Sequence, residues 1–232
     1  METPDAAAPV VSMVGVRFTY DGHAVLDDLD LAVRGGESVA LVGRSGAGKS
    51  TLLKLINRLL LPEAGVVMVE GRDTRDWDAI ALRRRTGYVL QEIGLFPHLT
   101  VEENVALVPR LEGWPEPRRR ERARELLELV GLPAATFAAR WPRELSGDQR
   151  QRVGVARALA VDPPIVLMDE PFGALDAITR RELREEFQRI RRHLRQTVIL
   201  VTHDMDEAFA LGDRVGMLEG GRLTFVPAAA TR

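Results

Sequence analysis

The stretch that most constrains this chain is GRSGAGKS at residues 43–50, which matches the pattern G-x-x-x-x-G-K-[S/T]. It follows the short apolar run ESVALVG (37–43) and precedes the helical pattern STLLKLINRLL (50–60). A glycine-rich turn between a strand and a helix lets backbone N–H groups point inward at phosphate oxygens, and the positive end of the helix faces the same point. The pattern therefore predicts an α/β core with a phosphate-binding loop.

Each position of this loop has a candidate role. Lys49 is expected to place a point charge against the β and γ phosphates, and Ser50 to offer a hydroxyl to Mg²⁺. The other candidate contacts to the phosphates come from the rest of the loop and the start of the helix, namely Gly43, Arg44, Ser45, Gly46, Ala47, Gly48 and Thr51.

Polar side chains at the ends of two later apolar runs carry the remaining chemistry. PIVLMDEP (164–171) ends in two carboxylates, of which Asp169 is expected to hold Mg²⁺ through its water shell and Glu170 to polarise an attacking water. His203 ends TVILVTH (197–203). Open α/β sheets bind ligands at the carboxyl ends of their strands, so His203 is a candidate contact for the γ-phosphate.

Two further residues allow two interpretations each. Gln91 follows the run GYVL and either completes an Mg²⁺ shell or is a surface amide. Tyr20 ends the first predicted strand and either stacks on an adenine or packs in the core.

The hydrophobic pattern predicts three regions. VSMVGVRFTY (11–20) and residues 24–33 alternate apolar with polar residues around the turn signal DG, which predicts an antiparallel pair. The middle, about 95–160, is rich in Arg, Glu and Leu at helical spacing, and Leu126, Leu127 and Val130 are expected to share one helix face. The last third alternates strands with helices, and its near-continuous apolar strands predict a parallel sheet covered on both faces. The helices of this third are predicted at 178–194 and 205–211.

Composition excludes several kinds of function. The chain has 32 Lys and Arg against 34 Asp and Glu, a net charge of −2, so we expect no nucleic-acid partner. It has no cysteine, which excludes disulfides, thiolate chemistry and cysteine-based zinc sites. The first residues lack the pattern of a signal peptide. No uncharged apolar run reaches the ~18–20 residues that cross a bilayer, so a role at a membrane would need a partner.

In their order along the chain, these segments resemble the ATP-binding cassette (ABC) ATPase family. Tyr20 matches the adenine-stacking aromatic, GRSGAGKST the Walker A motif and Gln91 the Q-loop. The later matches are LSGDQ (145–149) for the signature, LMDE (167–170) for Walker B, GALD (173–176) for the D-loop and His203 for the switch histidine. The resemblance covers about residues 10–226.

The resemblance implies a fold and a mechanism. The fold is a P-loop NTPase with a RecA-like parallel-sheet core (about 10–94 and 161–226), an N-terminal antiparallel β layer and a helical subdomain inserted at about 95–160, all within one domain, 1–232. The cofactors are ATP and Mg²⁺, with Lys49, Gln91, Glu170 and His203 catalytic and Ser50, Gln91 and Asp169 at the metal. Cassettes pair head to tail as homodimers or heterodimers. The signature residues Ser146, Gly147, Asp148 and Gln149 of one subunit then face the Walker A motif of the other.

The same resemblance implies partners and a location. Transporter cassettes lie at the cytoplasmic face of the cell membrane, peripheral to it, and work with transmembrane permease subunits and an external substrate-binding protein. The coupling helix of the permease meets the cassette in the segment after Gln91.

Three longer segments resemble the importers of quaternary-amine osmoprotectants such as glycine betaine, carnitine and choline. They are INRLLLPEAG (56–65), GYVLQEIGLFPHLTVEENVALVPRLEGW (87–114) and DEPFGALDAITR (169–180). Members of that group often carry a C-terminal regulatory extension, whereas this chain stops at VPAAATR (226–232). We therefore expect such regulation to be absent or to reside elsewhere.

Asp148 is a departure, because the signature usually reads LSGGQ. Ser146 and Gln149 fit the capping box S-x-x-[E/Q], which predicts a helix beginning near Gly147. An aspartate in the first turn stabilises an isolated helix by roughly 0.3–1 kcal/mol. Facing a phosphate at ~4 Å it costs about 4 kcal/mol at an effective dielectric constant of ~20.

Three interpretations of Asp148 remain open. In the first, its side chain turns away and is neutralised by a neighbour such as Arg150 or Arg152, and activity survives. In the second, ATP binds but closure and hydrolysis are slow. In the third, the chain pairs with a different cassette whose signature is intact. The alternative functions are a regulatory ATP-binding subunit that hydrolyses weakly, and a soluble ABC protein of translation or DNA repair. Proteins of the latter kind usually carry two cassettes or a long coiled coil, and this sequence has one cassette and no sustained heptads.

Overall fold

The computed structural model describes residues 8–91, 94–173, 184–185, 187–188 and 196–226. The described elements in chain order are β1 (Val11–Tyr20), β2 (His23–Val33), β3 (Ser38–Val42), α1 (Lys49–Ile56), β4 (Ala64–Val69), β5 (Arg72–Asp73), α2 (Ala79–Arg85), β6 (Thr86–Val89), α3 (Val101–Val105), α4 (Leu107–Leu111), α5 (Glu116–Leu129), α6 (Ala134–Phe137), a 3₁₀ helix (Pro142–Glu144), α7 (Gly147–Ala158), β7 (Ile165–Asp169), β8 (Thr197–Thr202), α8 (Met205–Leu211), β9 (Arg214–Glu219) and β10 (Arg222–Phe225). The chain divides into two compact units, residues 1–83 with 196–232, and residues 84–195.

The first unit contains the antiparallel layer expected at the N-terminus. β1 pairs with β2 on one side and with β4 on the other, and β5 extends the sheet beyond β4. The turn between β1 and β2 is Asp21–Gly22, with φ of 49° and 79°. Two successive positive φ values are the signature of the tight turn that suits a two-residue hairpin, so the DG signal correctly predicted this hairpin.

The same unit contains parallel strands. β3 lies between β8 and β9 and is parallel to both, while β10 pairs antiparallel with β9. Every residue of β3 and of β8 is buried. Strands covered on both faces read as near-continuous apolar runs, so the prediction of a parallel sheet from these runs is confirmed.

Helix α1 ends at Ile56, four residues before the predicted end at residue 60. The helix stops in a Schellman motif, in which Arg58 N–H donates to Leu55 O at 3.2 Å and Leu59 N–H to Lys54 O at 2.8 Å. Arg58 takes the left-handed conformation, with φ of 56°, that such a stop requires. Glycine is the usual residue there, and its absence left the sequence without a stop signal.

The second unit combines a parallel strand pair with helices. β6 pairs with β7 in a register that sets Tyr88 against Leu167 and Val89 against Met168. Leu126, Leu127 and Val130 are all buried, as the helical spacing predicted. The predicted helix at 178–194 and residues 174–176 of the GALD segment fall outside the described residues, apart from 184–185 and 187–188, which are helical. No described helix is both long enough and apolar enough to span a bilayer.

Candidate functional site

The glycine-rich loop joins β3 to α1 in the first unit. Gly46 and Gly48 have φ of 80° and 96°, which lets the chain turn tightly onto the start of the helix. Gly48 is the N-cap of α1 and supplies no side-chain cap to the helix. The first N–H groups of a helix need an acceptor from outside it, and an anion is a suitable one. This end of α1 therefore fits a phosphate group.

Lys49 is the first residue of α1, and its side chain folds back against the start of the glycine-rich loop. Its side chain is 5% exposed, and its Nζ donates to Gly43 O at 2.8 Å and to Arg44 O at 3.1 Å. These contacts hold the ammonium group close to the first residues of the loop. Ser50 and Thr51 follow in the first turn of α1, and Thr51 is buried.

A cavity of about 680 Å³ lies beside the loop. It is lined by residues 42–47 of the loop, by His203 and Met205 after β8, and by residues 217–220 at the end of β9. β3 and β8 are parallel neighbours, so the segments that follow them leave the sheet at the same edge. The fold thus brings His203 to the glycine-rich loop.

A side-chain network holds the turn that carries His203. The Thr202 hydroxyl accepts the Asp204 N–H at 3.0 Å and donates to the buried Glu207 carboxylate. The Asp204 carboxylate accepts the N–H groups of Asp206 and Glu207 at 2.9 and 3.1 Å and caps α8. The backbone on both sides of His203 is therefore fixed, while the imidazole remains exposed.

Tyr20 ends β1 with its side chain at the surface. The residue is 44% exposed, and its ring meets the Phe18 ring edge-on, with 4.9 Å between the centroids. Phe18 is buried, so the aromatic pair packs in the core at Phe18 only. Of the two interpretations of Tyr20, core packing is wrong, and the exposed ring is available for stacking.

The carboxylates lie in the second unit, where β7 ends. Asp169 is the last residue of β7 and is 5% exposed. Glu170 follows with φ of 44°, a left-handed conformation that is uncommon outside glycine, and its carbonyl accepts the Gly173 N–H at 3.1 Å. Backbone strain of this kind is concentrated at functional sites.

Gln91 belongs to the same edge of the β6–β7 pair. Val89 pairs with Met168, and Gln91 and Glu170 each stand two residues beyond that pair. Gln91 is exposed. The chain at Gln91 therefore leaves the sheet at the edge where Asp169 and Glu170 also lie.

Tyr88 on β6 is a further candidate site residue, which the sequence analysis did not identify. Burial, then the negative charge of Asp169 and last a hydrogen-bonding interaction with its carboxylate raise the pKa of the Tyr88 phenol above its ordinary value. Only the register of β6 against β7 places Tyr88 near Asp169, and the sequence does not contain that register.

The signature residues form the predicted capping box at the start of α7. Gln149 N–H donates to Ser146 Oγ at 3.3 Å, and Ser146 N–H donates to Gln149 Oε1 at 3.0 Å. The helix begins at Gly147, as predicted.

Asp148 has a different partner from the one expected. Its carboxylate accepts the hydroxyl proton of Ser146. Within the described part of the chain it forms no ion pair with Arg150 or Arg152, and Arg152 donates to Val130 O at 2.8 Å. The donor observed for Asp148 is instead the N-cap hydroxyl two residues away.

The candidate metal ligands are oxygen groups of the kind that bind Mg²⁺ together with water and phosphate oxygens. The described residues contain no group of three or more His, Asp or Glu side chains that could hold a metal ion. Mg²⁺ usually takes one or two carboxylates and completes its shell with water and phosphate oxygens. The oxygen groups of Asp169, Gln91 and Ser50 are ligands of the type that it takes. Ser50 belongs to the first unit, and the other two belong to the second.

Comparisons with known proteins agree with this picture. Residues 26–173 match the profile of the ABC transporter family. The chain is 49% identical over 218 residues to the choline transport ATP-binding protein OpuBA of Bacillus subtilis, which covers 94% of this chain and 57% of OpuBA. It is 51% identical over 198 residues to the osmoprotectant import ATP-binding protein OsmV of Salmonella typhimurium, covering 85% of this chain and 52% of OsmV. The chain thus spans just over half the length of these curated relatives.

A solved structure shares the fold. The ATP-binding cassette MJ0796, in a dimeric post-hydrolysis state with bound ADP and Pi, superimposes with a TM-score of 0.84 at 35% identity. The match covers 94% of this chain and 99% of that one. The fold is that of an ABC cassette, and the chain belongs to the ABC transporter family.

Proposed function

We propose that the chain is the ATP-binding and ATP-hydrolysing subunit of an ABC importer, driving uptake of a quaternary-amine osmoprotectant through a separate membrane subunit. The observation that carries this proposal is the start of α1, where Gly48 leaves the helix without a side-chain cap and Lys49 lies against the loop. The relatives named for choline transport and osmoprotectant import support the solute class.

In the first unit, the chain binds nucleotide. The loop amides from Gly43 to Gly48 and the Nζ of Lys49 hold the β and γ phosphates, and Tyr20 stacks on the adenine. His203 donates to the γ-phosphate from its braced turn. Thr202 and Asp204 fix the backbone on both sides of His203, so the chain needs little backbone ordering to make this contact.

In the second unit, the chain acts on water and metal. Glu170 accepts a proton from the water that attacks the γ-phosphate. Asp169 and Gln91 would hold Mg²⁺ here, and Ser50 is a further candidate Mg²⁺ ligand in the first unit. Bound Mg²⁺ would neutralise charge on the phosphate oxygens.

The partners follow from the family. Two cassettes, in a homodimer or heterodimer, sandwich two ATP molecules, with Ser146, Gly147, Asp148 and Gln149 of each facing the nucleotide of the other. The dimeric state of the cassette MJ0796 supports this arrangement. The pair lies at the cytoplasmic face of the cell membrane against permease subunits, which receive solute from an external binding protein.

Glu170→Gln tests the proposed reaction. The amide cannot accept the proton, so ATP turnover is expected to fall by about 10²–10⁴-fold while ATP affinity changes by less than about threefold. Turnover is measured by phosphate release and affinity by titration of a fluorescent ATP analogue. Glu121→Gln, an exposed glutamate on α5, is the matched control and should change neither quantity. Undiminished steady-state turnover in Glu170→Gln would refute this role for Glu170.

A second candidate function is a weakly hydrolysing or regulatory ATP-binding subunit. The observation in its favour is the bond from the Ser146 hydroxyl to Asp148. A proton donated to Asp148 is not available to a phosphate, and the carboxylate adds a negative charge at the end of α7. The two candidates differ in whether replacing Asp148 raises turnover.

A further inference from the structure

Tyr88 carries a buried polar atom that the proposed reaction leaves without a role. Its hydroxyl oxygen is inaccessible to solvent and makes no hydrogen bond within the part of the chain that the structure describes. A buried hydroxyl without a partner costs free energy, and such atoms are rare in native proteins. A buried hydroxyl without a well-formed hydrogen bond, close to the candidate metal ligand Asp169, therefore indicates a role for Tyr88 at that ligand.

The strand register places Tyr88 on the same face of the sheet as Asp169. Tyr88 pairs with Leu167 across the parallel β6–β7 ladder, and Asp169 is two residues further along β7. Side chains alternate between the faces of a strand, so Leu167 and Asp169 point to the same side, and Tyr88 points there with them. A diagonal neighbour at this spacing is within reach of an aromatic side chain.

The group next to this hydroxyl is an acceptor. The Asp169 carboxylate is the charged group that acts on the Tyr88 phenol, and it is itself buried. A phenol titrates near pH 10 in water, so it is a donor at neutral pH, and a carboxylate is an acceptor only. The two groups are chemically matched as donor and acceptor, and the carboxylate already acts on the phenol.

We propose that Tyr88 is a positioning residue for the Mg²⁺ ligand Asp169: its hydroxyl donates to one carboxylate oxygen and so orients the other toward the metal. This inference rests on the proposed function, in which Asp169 holds Mg²⁺. Groups that hydrogen-bond to metal ligands commonly change metal affinity by 10–100-fold when they are removed. Among the described residues the Tyr88 hydroxyl makes no well-formed hydrogen bond in the nucleotide-free chain, although the Asp169 carboxylate is close enough to act on it. We expect that bond to form fully when the metal site is filled.

Tyr88→Phe separates this role from a structural one. A structural role predicts a lower melting temperature of the free protein, whereas the proposed role predicts a weaker effect of Mg²⁺. Loss of an unpaired buried hydroxyl leaves the melting temperature of the free protein unchanged or raises it. Loss of a bond made only in the loaded site lowers the additional stabilisation that Mg²⁺ gives with ATP. We expect the Mg²⁺ concentration for half-maximal ATP turnover to rise about three- to tenfold, and the Mg²⁺-dependent part of the ATP-induced thermal shift to decrease. Affinity for ATP in EDTA should stay the same.

Thr74→Val is the matched control. Thr74 is fully buried, and its hydroxyl is also without a hydrogen bond in the described structure, but it lies in the first unit and far along the chain from Asp169. This variant should leave the Mg²⁺ dependence of turnover and of the thermal shift unchanged. An equal change in both variants would overturn the proposal, since it would assign the effect to the loss of a buried hydroxyl in general.

Asp169→Asn distinguishes failure of this inference from failure of the proposed function. If Asp169→Asn shifts the Mg²⁺ dependence and Tyr88→Phe does not, the role of Tyr88 is refuted and the metal assignment stands. If neither variant shifts it, the assignment of Asp169 fails and the inference fails with it. A marked fall in the melting temperature of Tyr88→Phe, with weaker ATP binding in EDTA, would show a packing role and would also overturn the proposal.

Discussion

Gly46 and Gly48 stand two residues apart in the phosphate-binding loop, yet they are constrained differently. Both have positive φ, 80° and 96°. A Cβ at Gly46 would meet no atom within 4 Å, whereas one at Gly48 would come within 2.9 Å of the side chains of Val25 and Leu26. Conformation alone restricts the first position, and conformation together with packing against β2 restricts the second.

Alanine substitutions at these glycines should therefore differ in cost. Gly46→Ala is expected to lower the free energy of unfolding by about 1–2 kcal/mol, the cost of a left-handed alanine. Gly48→Ala should cost about 1–3 kcal/mol more, because Val25 and Leu26 must move as well. Urea unfolding of both variants beside the parent measures the difference. Equal losses would mean that β2 gives way freely and that packing does not restrict the loop.

At the scale of single elements, α3 shows how one end of a helix couples stability to pH. Thr100 and Glu103 form a capping box, in which the Thr100 hydroxyl accepts the Glu103 N–H at 3.2 Å and the Glu103 carboxylate accepts the Thr100 N–H at 2.8 Å. The backbone N–H of Thr100, and next its hydroxyl, lower the pKa of Glu103. A carboxyl whose pKa is lower in the folded chain stabilises the fold when it is ionised.

The expected pH effect has a definite sign. This contribution to stability is present above the ordinary pKa of a glutamate, about 4.3, and is lost as the pH falls through the lowered pKa of the folded state. Glu103→Gln should therefore unfold at a lower urea concentration than the parent at pH 7. The difference between the two unfolding midpoints should become smaller toward pH 3. Thr100→Ala should cost about 1 kcal/mol at pH 7. A difference in midpoints that stays constant from pH 7 to pH 3 would show that ionisation of Glu103 does not contribute to stability.

The elements also show how far sequence reasoning reaches. β1 and α8 have the predicted bounds, because alternating apolar residues mark the strand and helical spacing marks the helix. The predicted end of α1 is wrong, because Arg58 adopts a left-handed backbone conformation that an arginine in the sequence does not indicate. Tyr88 was missed because strand register arises from tertiary pairing. The hydrogen-bond partner of Asp148 differs from the arginines that we expected, because the Ser146 hydroxyl two residues away donates to it.

At the scale of the whole molecule, Asp148 bears on whether two copies close on ATP. The charge lies at the N-terminus of α7, in the motif expected to face the other subunit's phosphates. If the charge opposes closure, Asp148→Gly should raise ATP turnover at least tenfold, because a cost of about 4 kcal/mol corresponds to more than a hundredfold in a closure equilibrium. Turnover should then rise more than linearly with protein concentration.

Asp148→Asn separates charge from size in the same assay. If ATP turnover rises in both variants, the effect is due to the charge of Asp148. If it rises only in Asp148→Gly, the effect is due to the size of the side chain, which prevents close approach to the phosphate. Comparable turnover in the parent and both variants would favour a working homodimer that tolerates the aspartate, and would remove the main support for a weakly hydrolysing subunit. ATP affinity of the single chain should be the same in all three, because the signature faces the nucleotide of the other subunit.

The network around Thr202 has a consequence for the timescale on which this surface moves. The amide hydrogens of Asp204, Asp206 and Glu207 all end on side-chain oxygens, one of which belongs to a fully buried strand residue. Their exchange with deuterated solvent requires those bonds to open, so these amides should exchange slowly for a loop at the surface. His203 is thus an exposed side chain next to backbone amides that we expect to exchange slowly.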